Sequence, residues 1–115
     1  MKKDDSVYLR HLLDAISRIE EYTQDIKYED FMDNYLIQDG VIRQIEIIGE
    51  ATKRLSKEIK EKHPEIPWKD MSGMRDKLIH DYLGVDIDAV WDTVEEDIPA
   101  LKNRLKHLIK KEENV

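Results

Sequence analysis

The stretch YLRHLLDAISRIEEYTQDI, from Tyr8 to Ile26, decides the fold of this chain. Its heptad spacing predicts a helix of about five turns that follows Ser6 and packs along a second long helix. We therefore expect a helical bundle, with the two tyrosines of the seam as core aromatics. The apolar positions recur in alternating steps of four and three: Tyr8, Leu12, Ala15, Ile19, Tyr22 and Ile26.

A second helix is expected from about Asn34 to Leu55, after a short helical turn between Tyr28 and Asn34. Gly40 and Gly49 interrupt this helix, and since glycine lowers helix propensity, each is expected to permit a close helix crossing. Glu50 is either a structural partner for an arginine or part of a site. The same four-three rhythm continues through Val41, Ile45, Ile48, Thr52 and Leu55, while Ile42 and Ile47 widen the stripe.

Proline residues divide the second half of the chain. A short basic helix from Ser56 to His63 ends at Pro64, which leaves His63 as a loop histidine. Pro67 is expected to start a new turn in which Trp68 anchors the connection to the bundle.

The C-terminal part of the chain is also helical. Asp86 is expected to cap a segment whose apolar face comprises Ile87, Val90, Trp91 and Val94. Pro99 restarts or kinks the last helix, which carries Leu101, Leu105, Leu108 and Ile109. We find no repeat and no β alternation, so the fold class is an all-α, up-and-down bundle of four to five helices.

Length and composition indicate one domain over residues 1–115. The chain contains no Cys, which excludes disulfides and thiol nucleophiles and fits a reducing compartment. No apolar run is long enough to span a bilayer, and no signal peptide is visible. We expect a soluble, cytoplasmic protein.

The net charge of −7 opposes generic nucleic-acid binding. Acidic residues dominate residues 20–39, with seven acids and one base, and residues 83–99, with six acids and no base. Residues 53–62 and 100–115 each carry five bases and two acids, so a local basic groove on an acidic body is one reading and solvated helix faces are the other.

The stretch from Ser72 to Gly84, SGMRDKLIHDYLG, holds the chemically active residue types. Its apolar spacing predicts three turns of helix, with Ser72 as N-cap and Gly84 as C-terminal stop. On such a helix Asp76 and His80 share a face, so the carboxylate can orient the imidazole as a general acid or base.

Arg75 and His80 are separated by about 140° on a straight helix and do not share a face. To bring both to one phosphate, the arginine must bend around, or a second copy of the helix must complete the site in a two-fold dimer. By residue type alone, the group of Arg75, Asp76, His80 and Tyr82 fits a structural polar network as well as a catalytic site.

Other site classes find little support in the sequence. The four histidines show no HxxxH or Glu-x-x-His spacing, so we expect no metal and no cofactor. Phosphate-binding glycine loops and GxSxG turns are also lacking in the sequence.

The segment Arg75-x4-His80-x-Tyr82 resembles the RX4HXY motif of HepT toxins in the HEPN superfamily of small helical ribonucleases, with a polar residue after the arginine. The resemblance extends to Ile48-Gly49-Glu50-Ala51, to Pro64 through Trp68, and to Trp91 through Pro99. It thus covers nearly the whole chain.

This resemblance implies a metal-independent endoribonuclease that acts as a homodimer, with Arg75 and His80 of both copies in one cleft. His80 is then the general acid or base for attack of a ribose 2′-hydroxyl on the adjacent phosphate. Arg75 stabilises the charge on the phosphoryl oxygens, and Asp76 orients His80. A small toxin of this kind suggests tRNA as the RNA substrate.

The family is commonly encoded beside a minimal nucleotidyltransferase (MNT) antitoxin of the MntA type, which in some pairs transfers AMP to the motif tyrosine, here Tyr82. Two alternatives stay open. One is a catalytically silent HEPN-like module that binds a nucleotide or a nucleotidyltransferase, and the other is a pair in which the transferase is the toxic member.

Overall fold

The computed structural model describes residues 1–80 and 84–113, with the backbone alone for His80. The elements in chain order are α1 (Lys3–Tyr22), α2 (Tyr28–Met32), α3 (Tyr35–Arg54), α4 (Lys57–Lys62), α5 (Trp68–Ser72), α6 (Met74–Leu78), β1 (Ile79–His80), β2 (Gly84–Val85), α7 (Ile87–Asp92), a π-helical segment (Thr93–Asp97) and α8 (Ile98–Glu113). The two 20-residue helices, α1 and α3, pack against each other, and the 16-residue α8 packs on α1.

The all-α class is confirmed, and the heptad seam forms the centre of the core. Leu12, Ala15 and Ile19 of α1 are buried against Val41, Ile45 and Ile48 of α3. Tyr8 and Tyr22 are partly buried at the edge of this core. The helix has about the expected length but lies nearer the N-terminus: it begins at Lys3, before Ser6, and ends at Tyr22 instead of Ile26. Asp25 adopts a φ of 59°, a left-handed conformation that a continuing helix does not allow.

Of the two glycines of α3, Gly40 permits a close approach, as expected. A Cβ added at Gly40 would lie 3.1 Å from Cε2 of Tyr22. Gly40 therefore lets the tyrosine ring of α1 lie on the helix. A Cβ added at Gly49 would lie 3.4 Å from the carbonyl oxygen of Ser72, which is an ordinary contact distance.

Residues 56–72 follow the predicted turns. Ser56 is the N-cap of α4, and Pro67 is the N-cap of α5. The indole Nε1 of Trp68 donates a hydrogen bond to the carbonyl oxygen of His63 at 2.9 Å, which fixes the connection as expected. His63 differs from the prediction: it is the C-cap of α4, and its side chain is buried.

The expected helix from Ser72 to Gly84 is wrong at both ends. Ser72 is the last residue of α5, and α6 begins at Met74. After Leu78 the chain enters β1, which pairs antiparallel with β2 through Ile79 opposite Val85 and His80 opposite Gly84. The carbonyl of Leu78 accepts from the amide of Asp86 at 2.9 Å, so pairing with the returning strand replaces the next helical turn.

The C-terminal part of the chain has the predicted cap at Asp86 and the predicted break in the helix near Pro99. Asp86 caps α7 by accepting from the amide of Ala89 at 3.0 Å. Trp91 packs on Phe31 of α2, with ring centroids 5.0 Å apart. Pro99 lies in the first turn of α8, directly after the π-helical segment. Because proline has no amide hydrogen to donate, the helical ladder is broken there and restarts.

Among the helices described, none is both long and apolar enough to cross a lipid bilayer.

Candidate active site

Arg75 lies on α6 beside the middle of α3. Its Nε donates a hydrogen bond to Oε2 of Glu46 at 3.1 Å. The side chains are partly accessible, with exposed fractions of 48% for Arg75 and 33% for Glu46. A guanidinium that is held on one side and open to solvent on the other can still bind an anion.

Asp76 follows Arg75 on the outer side of α6. Its Oδ1 lies 3.5 Å from Nη1 of Arg75, and 76% of its side chain is exposed. This carboxylate therefore lies beside the guanidinium. The expected role of Asp76 in orienting His80 remains a prediction.

The structure places His80 on a strand and not on a helix. Arg75 precedes the end of α6 by three residues, and His80 is the second residue of β1. The helical angle of about 140° between them therefore does not apply, and neither does the shared helical face of Asp76 and His80. Tyr82 lies outside the described residues. The expectation of a homodimer consequently rests on the family resemblance and no longer on helical spacing.

Glu50 is not the partner of Arg75. Its side chain is 66% exposed, and its carboxylate lies 3.8 Å from Nζ of Lys53. Glu46, one helical turn earlier, is the carboxylate of α3 that pairs with Arg75. Glu46 is partly buried at the edge of the apolar face of α3. Its contact with Arg75 depends on where α6 packs, which the sequence does not specify.

A groove of about 680 Å³ runs between α5 and α6 on one side and the π-helical segment and α8 on the other. Its rim carries three cations, Lys69, Lys77 and Arg104, and two carboxylates, Asp70 and Asp97. Only Arg104 comes from the basic runs noted in the sequence. The groove is of mixed sign and contains one residue of those runs, so it is not the basic groove that the two runs suggested.

Among the side chains that the structure describes, no three His, Asp or Glu residues converge as metal ligands do.

Comparison with known proteins identifies the family. A family model described as "Ribonuclease HepT-like" matches residues 12–108. A "Probable ribonuclease HepT" from Thermococcus cleftensis is 50% identical over 110 residues, which are 96% of this chain and 100% of that protein. A "Putative RNase" from Methanocaldococcus jannaschii is 45% identical over 109 residues, 95% of this chain and 94% of that protein.

A second protein from Methanocaldococcus jannaschii, described as "Gamma-glutamylcyclotransferase and putative RNase", is 50% identical over 105 residues, but these are only 47% of its length. No solved structure matches this chain. The family match over residues 12–108 includes the motif, the glycine-containing helix and the proline-containing connection that carried the sequence resemblance. The chain therefore belongs to the HepT-like ribonuclease family.

Proposed function

We propose that this chain is a metal-independent endoribonuclease toxin whose site contains Arg75 and His80. The observation that carries the proposal is the membership of residues 12–108 in the HepT-like ribonuclease family, together with a motif arginine that is ordered by Glu46 and still open to solvent. Such an arginine suits an anionic phosphate that arrives from solution.

The reaction follows from the two side chains. The 2′-oxygen of the ribose attacks the adjacent phosphorus, the bond from phosphorus to the 5′-oxygen breaks, and a cyclic phosphate and a 5′-hydroxyl result. One proton leaves the 2′-hydroxyl and one reaches the 5′-oxygen. An imidazole titrates near neutral pH, so His80 is suited to move these protons, while Arg75 stabilises the charge on the phosphoryl oxygens.

The proposed assembly is a homodimer in which Arg75 and His80 of the two copies share one cleft. The proposed partner is an MNT-type nucleotidyltransferase antitoxin, and the proposed mode of neutralisation is transfer of AMP to Tyr82. An AMP group adds bulk and negative charge, which would repel an RNA backbone from a nearby cleft. The proposed substrate is RNA, with tRNA as the first class to test.

The decisive experiment is His80→Ala, measured as cleavage of RNA in vitro and as growth arrest on expression. We expect both activities to be lost while the helical circular dichroism spectrum and the melting temperature change little. His107→Ala is the matched control, because His107 is an exposed histidine on α8. It should cleave RNA at the wild-type rate.

Two results would contradict the proposal. If His80→Ala unfolds, His80 is a structural residue. If pure wild-type protein cleaves no RNA but binds a nucleotidyltransferase tightly, the catalytically silent module is the better description.

A further inference from the structure

The contact between Glu46 and Arg75 joins two elements that are distant in sequence. Twenty-nine positions separate the residues, and the contact links the centre of α3 to the five-residue helix α6. Ile45 and Ile48 on α3 are completely buried, so the backbone of Glu46 is fixed by the core. Arg75 belongs to a helix too short to be stable by itself. The rigid partner is therefore Glu46, and the partner to be oriented is Arg75.

The exposure of this ion pair limits what it does for stability. Ion pairs between partly exposed side chains contribute little to the free energy of unfolding, because solvent screens the charges and two long side chains lose rotamer freedom. What the hydrogen bond does fix is the direction of the guanidinium plane. A free arginine side chain samples many rotamers, and a planar group positions its other donors only when the plane is held.

The donor that Glu46 uses leaves the others available. Nε–H is one of five N–H donors of arginine, and none of the described residues accepts a hydrogen bond from the four on Nη1 and Nη2. Asp76 is the second carboxylate nearby, but at 3.5 Å from Nη1 and on a largely exposed side chain it can move away when an anion arrives. Glu46 therefore accepts a hydrogen bond from Nε of Arg75, whereas Asp76 lies near Nη1 without a hydrogen bond.

We infer that Glu46 is a positioning residue, which holds Arg75 by its Nε so that the Nη groups are presented to the scissile phosphate. The inference rests on the proposed function, in which Arg75 stabilises that phosphate. Orientation before the substrate arrives lowers the barrier of the chemical step more than it strengthens binding. The carboxylate also carries a negative charge that repels RNA, so its removal should help binding and harm turnover.

These opposite effects can be measured with three variants. Glu46→Ala removes the acceptor, and we expect the single-turnover cleavage rate to fall on the order of 10- to 100-fold. Affinity for a 2′-O-methylated copy of the same RNA, which cannot be cleaved, should stay equal or increase. Glu46→Gln keeps an oxygen acceptor without the charge and should cleave within about threefold of the wild-type rate. Glu46→Asp keeps the charge but is one methylene shorter, and should be as slow as the alanine variant.

The matched control is Glu20→Ala. Glu20 forms a similar surface ion pair, with Oε2 3.0 Å from Nζ of Lys102 and comparable exposure, on the other long helix α1. The Glu20→Ala variant loses the same charge and one surface ion pair of the same kind. Its cleavage rate should equal the wild-type rate. The melting temperatures of Glu20→Ala and Glu46→Ala should both be close to that of the wild type.

A readout that needs no catalysis accompanies these rates. In isotope-labelled protein, the Nε–H resonance of Arg75 should be protected from exchange in the wild type and in Glu46→Gln, and unprotected in Glu46→Ala. Wild-type cleavage by Glu46→Ala, equal losses in the Gln and Ala variants, or an unprotected resonance in the wild type would each overturn the inference. The proposed function fails separately, if His80→Ala cleaves RNA or the wild type does not.

Discussion

The carboxylate of Glu112 lies 2.9 Å from Nε2 of His63, although 49 positions separate the two residues. Nζ of Lys62 lies 2.9 Å from the same oxygen, and the N-terminal amine lies 3.8 Å from the other one. The side chains are almost inaccessible, with exposed fractions of 3% for Glu112 and 5% for His63. These contacts join the C-terminal end of α8 to the C-terminal end of α4 and to Met1.

Glu112 should make the stability of the protein depend on acid pH. The pKa of Glu112 is lowered from its ordinary value of 4.5. The hydrogen bond from Lys62 is the largest cause and the hydrogen bond from His63 the second, while burial opposes the shift. A carboxyl group with a lowered pKa in the folded state adds stability above its unfolded pKa and loses it as the pH falls through the folded pKa. In Glu112→Gln, we therefore expect a loss of roughly 1 kcal/mol at neutral pH that shrinks below about pH 4.5.

Urea denaturation at a series of pH values measures this dependence. Glu113→Gln is the matched control, because Glu113 is the exposed neighbour on the same helix. It should leave the curve of stability against pH unchanged. If the Glu112 variant and the wild type differ by the same amount at pH 3 and pH 7, the carboxylate charge is not the cause.

Asp5 should be essential for the junction between α1 and α4. Its side chain is buried, with a residue exposure of 3%. It accepts from the backbone amide of Ser56 at 2.8 Å and from the Ser56 hydroxyl at 2.6 Å. Asp5→Ala leaves both donors without this acceptor, so we expect a loss of about 1–3 kcal/mol in the free energy of unfolding.

Asp4→Ala is the control for this prediction, since Asp4 is an exposed aspartate in the same helical turn. Its effect should be within about 0.5 kcal/mol. The measurement is the midpoint of urea denaturation with an unchanged slope. Equal destabilisation by both variants would show that the helix N-terminus, and not the contact with Ser56, is responsible.

The long helices could be predicted from the sequence because their signal is local. Leu12, Ile19 and Ile45 recur at helical spacing, and burial follows that spacing directly. The cap at Asp86 was also predicted, because this aspartate precedes α7 and accepts from its first turn. The family motif identified Arg75 as a candidate before any geometry was available.

The missed features depend on contacts between distant parts of the chain. Strands of two residues are too short to show alternation, so nothing local distinguished Ile79 and Val85 from helix. Glu46 meets Arg75 only because α6 packs against α3, and His63 meets Glu112 only because α8 returns to α4. Such pairs carry no fixed spacing, so they could not be deduced from one sequence.

The assembly prediction is that the purified protein sediments as a homodimer with a composite site. Arg75→Ala and His80→Ala should each be inactive alone. If one site takes Arg75 from one copy and His80 from the other, mixing and re-equilibrating the two variants should restore about a quarter of the wild-type activity, because half the dimers are mixed and each has one intact site. A monomer at micromolar concentration, or no recovery on mixing, would contradict it.

Cleavage should not need a metal ion. The proposed chemistry relies on an imidazole and a guanidinium, which supply proton transfer and charge stabilisation without a Lewis acid. Cleavage of RNA after dialysis against a chelator should proceed at the untreated rate. Loss of cleavage in chelator, with recovery on adding a divalent ion but not a monovalent salt of equal ionic strength, would refute this mechanism.

Tyr82 should be the residue through which the partner acts, and not a catalytic group. A phenol ordinarily titrates near pH 10, which suits proton transfer at neutral pH poorly, whereas an imidazole titrates near 6.5. We therefore expect Tyr82→Phe to keep most of its cleavage activity. With a cognate nucleotidyltransferase and ATP, we expect the phenolic oxygen of Tyr82 to attack the α-phosphorus, so that a phosphodiester forms and pyrophosphate leaves with loss of the phenolic proton.

Mass spectrometry and cleavage assays together test this assignment. After incubation, the wild type should gain one or more AMP masses on Tyr82 and lose cleavage, while Tyr82→Phe should gain none and stay active. Tyr35→Phe is the matched control, because Tyr35 is 77% exposed and is the most accessible alternative acceptor among the described tyrosines. The Tyr35→Phe variant should gain AMP on Tyr82 and lose cleavage of RNA, as the wild type does. AMP found on Tyr35, or cleavage lost in unmodified Tyr82→Phe, would mean that modification and catalysis are assigned to the wrong residues.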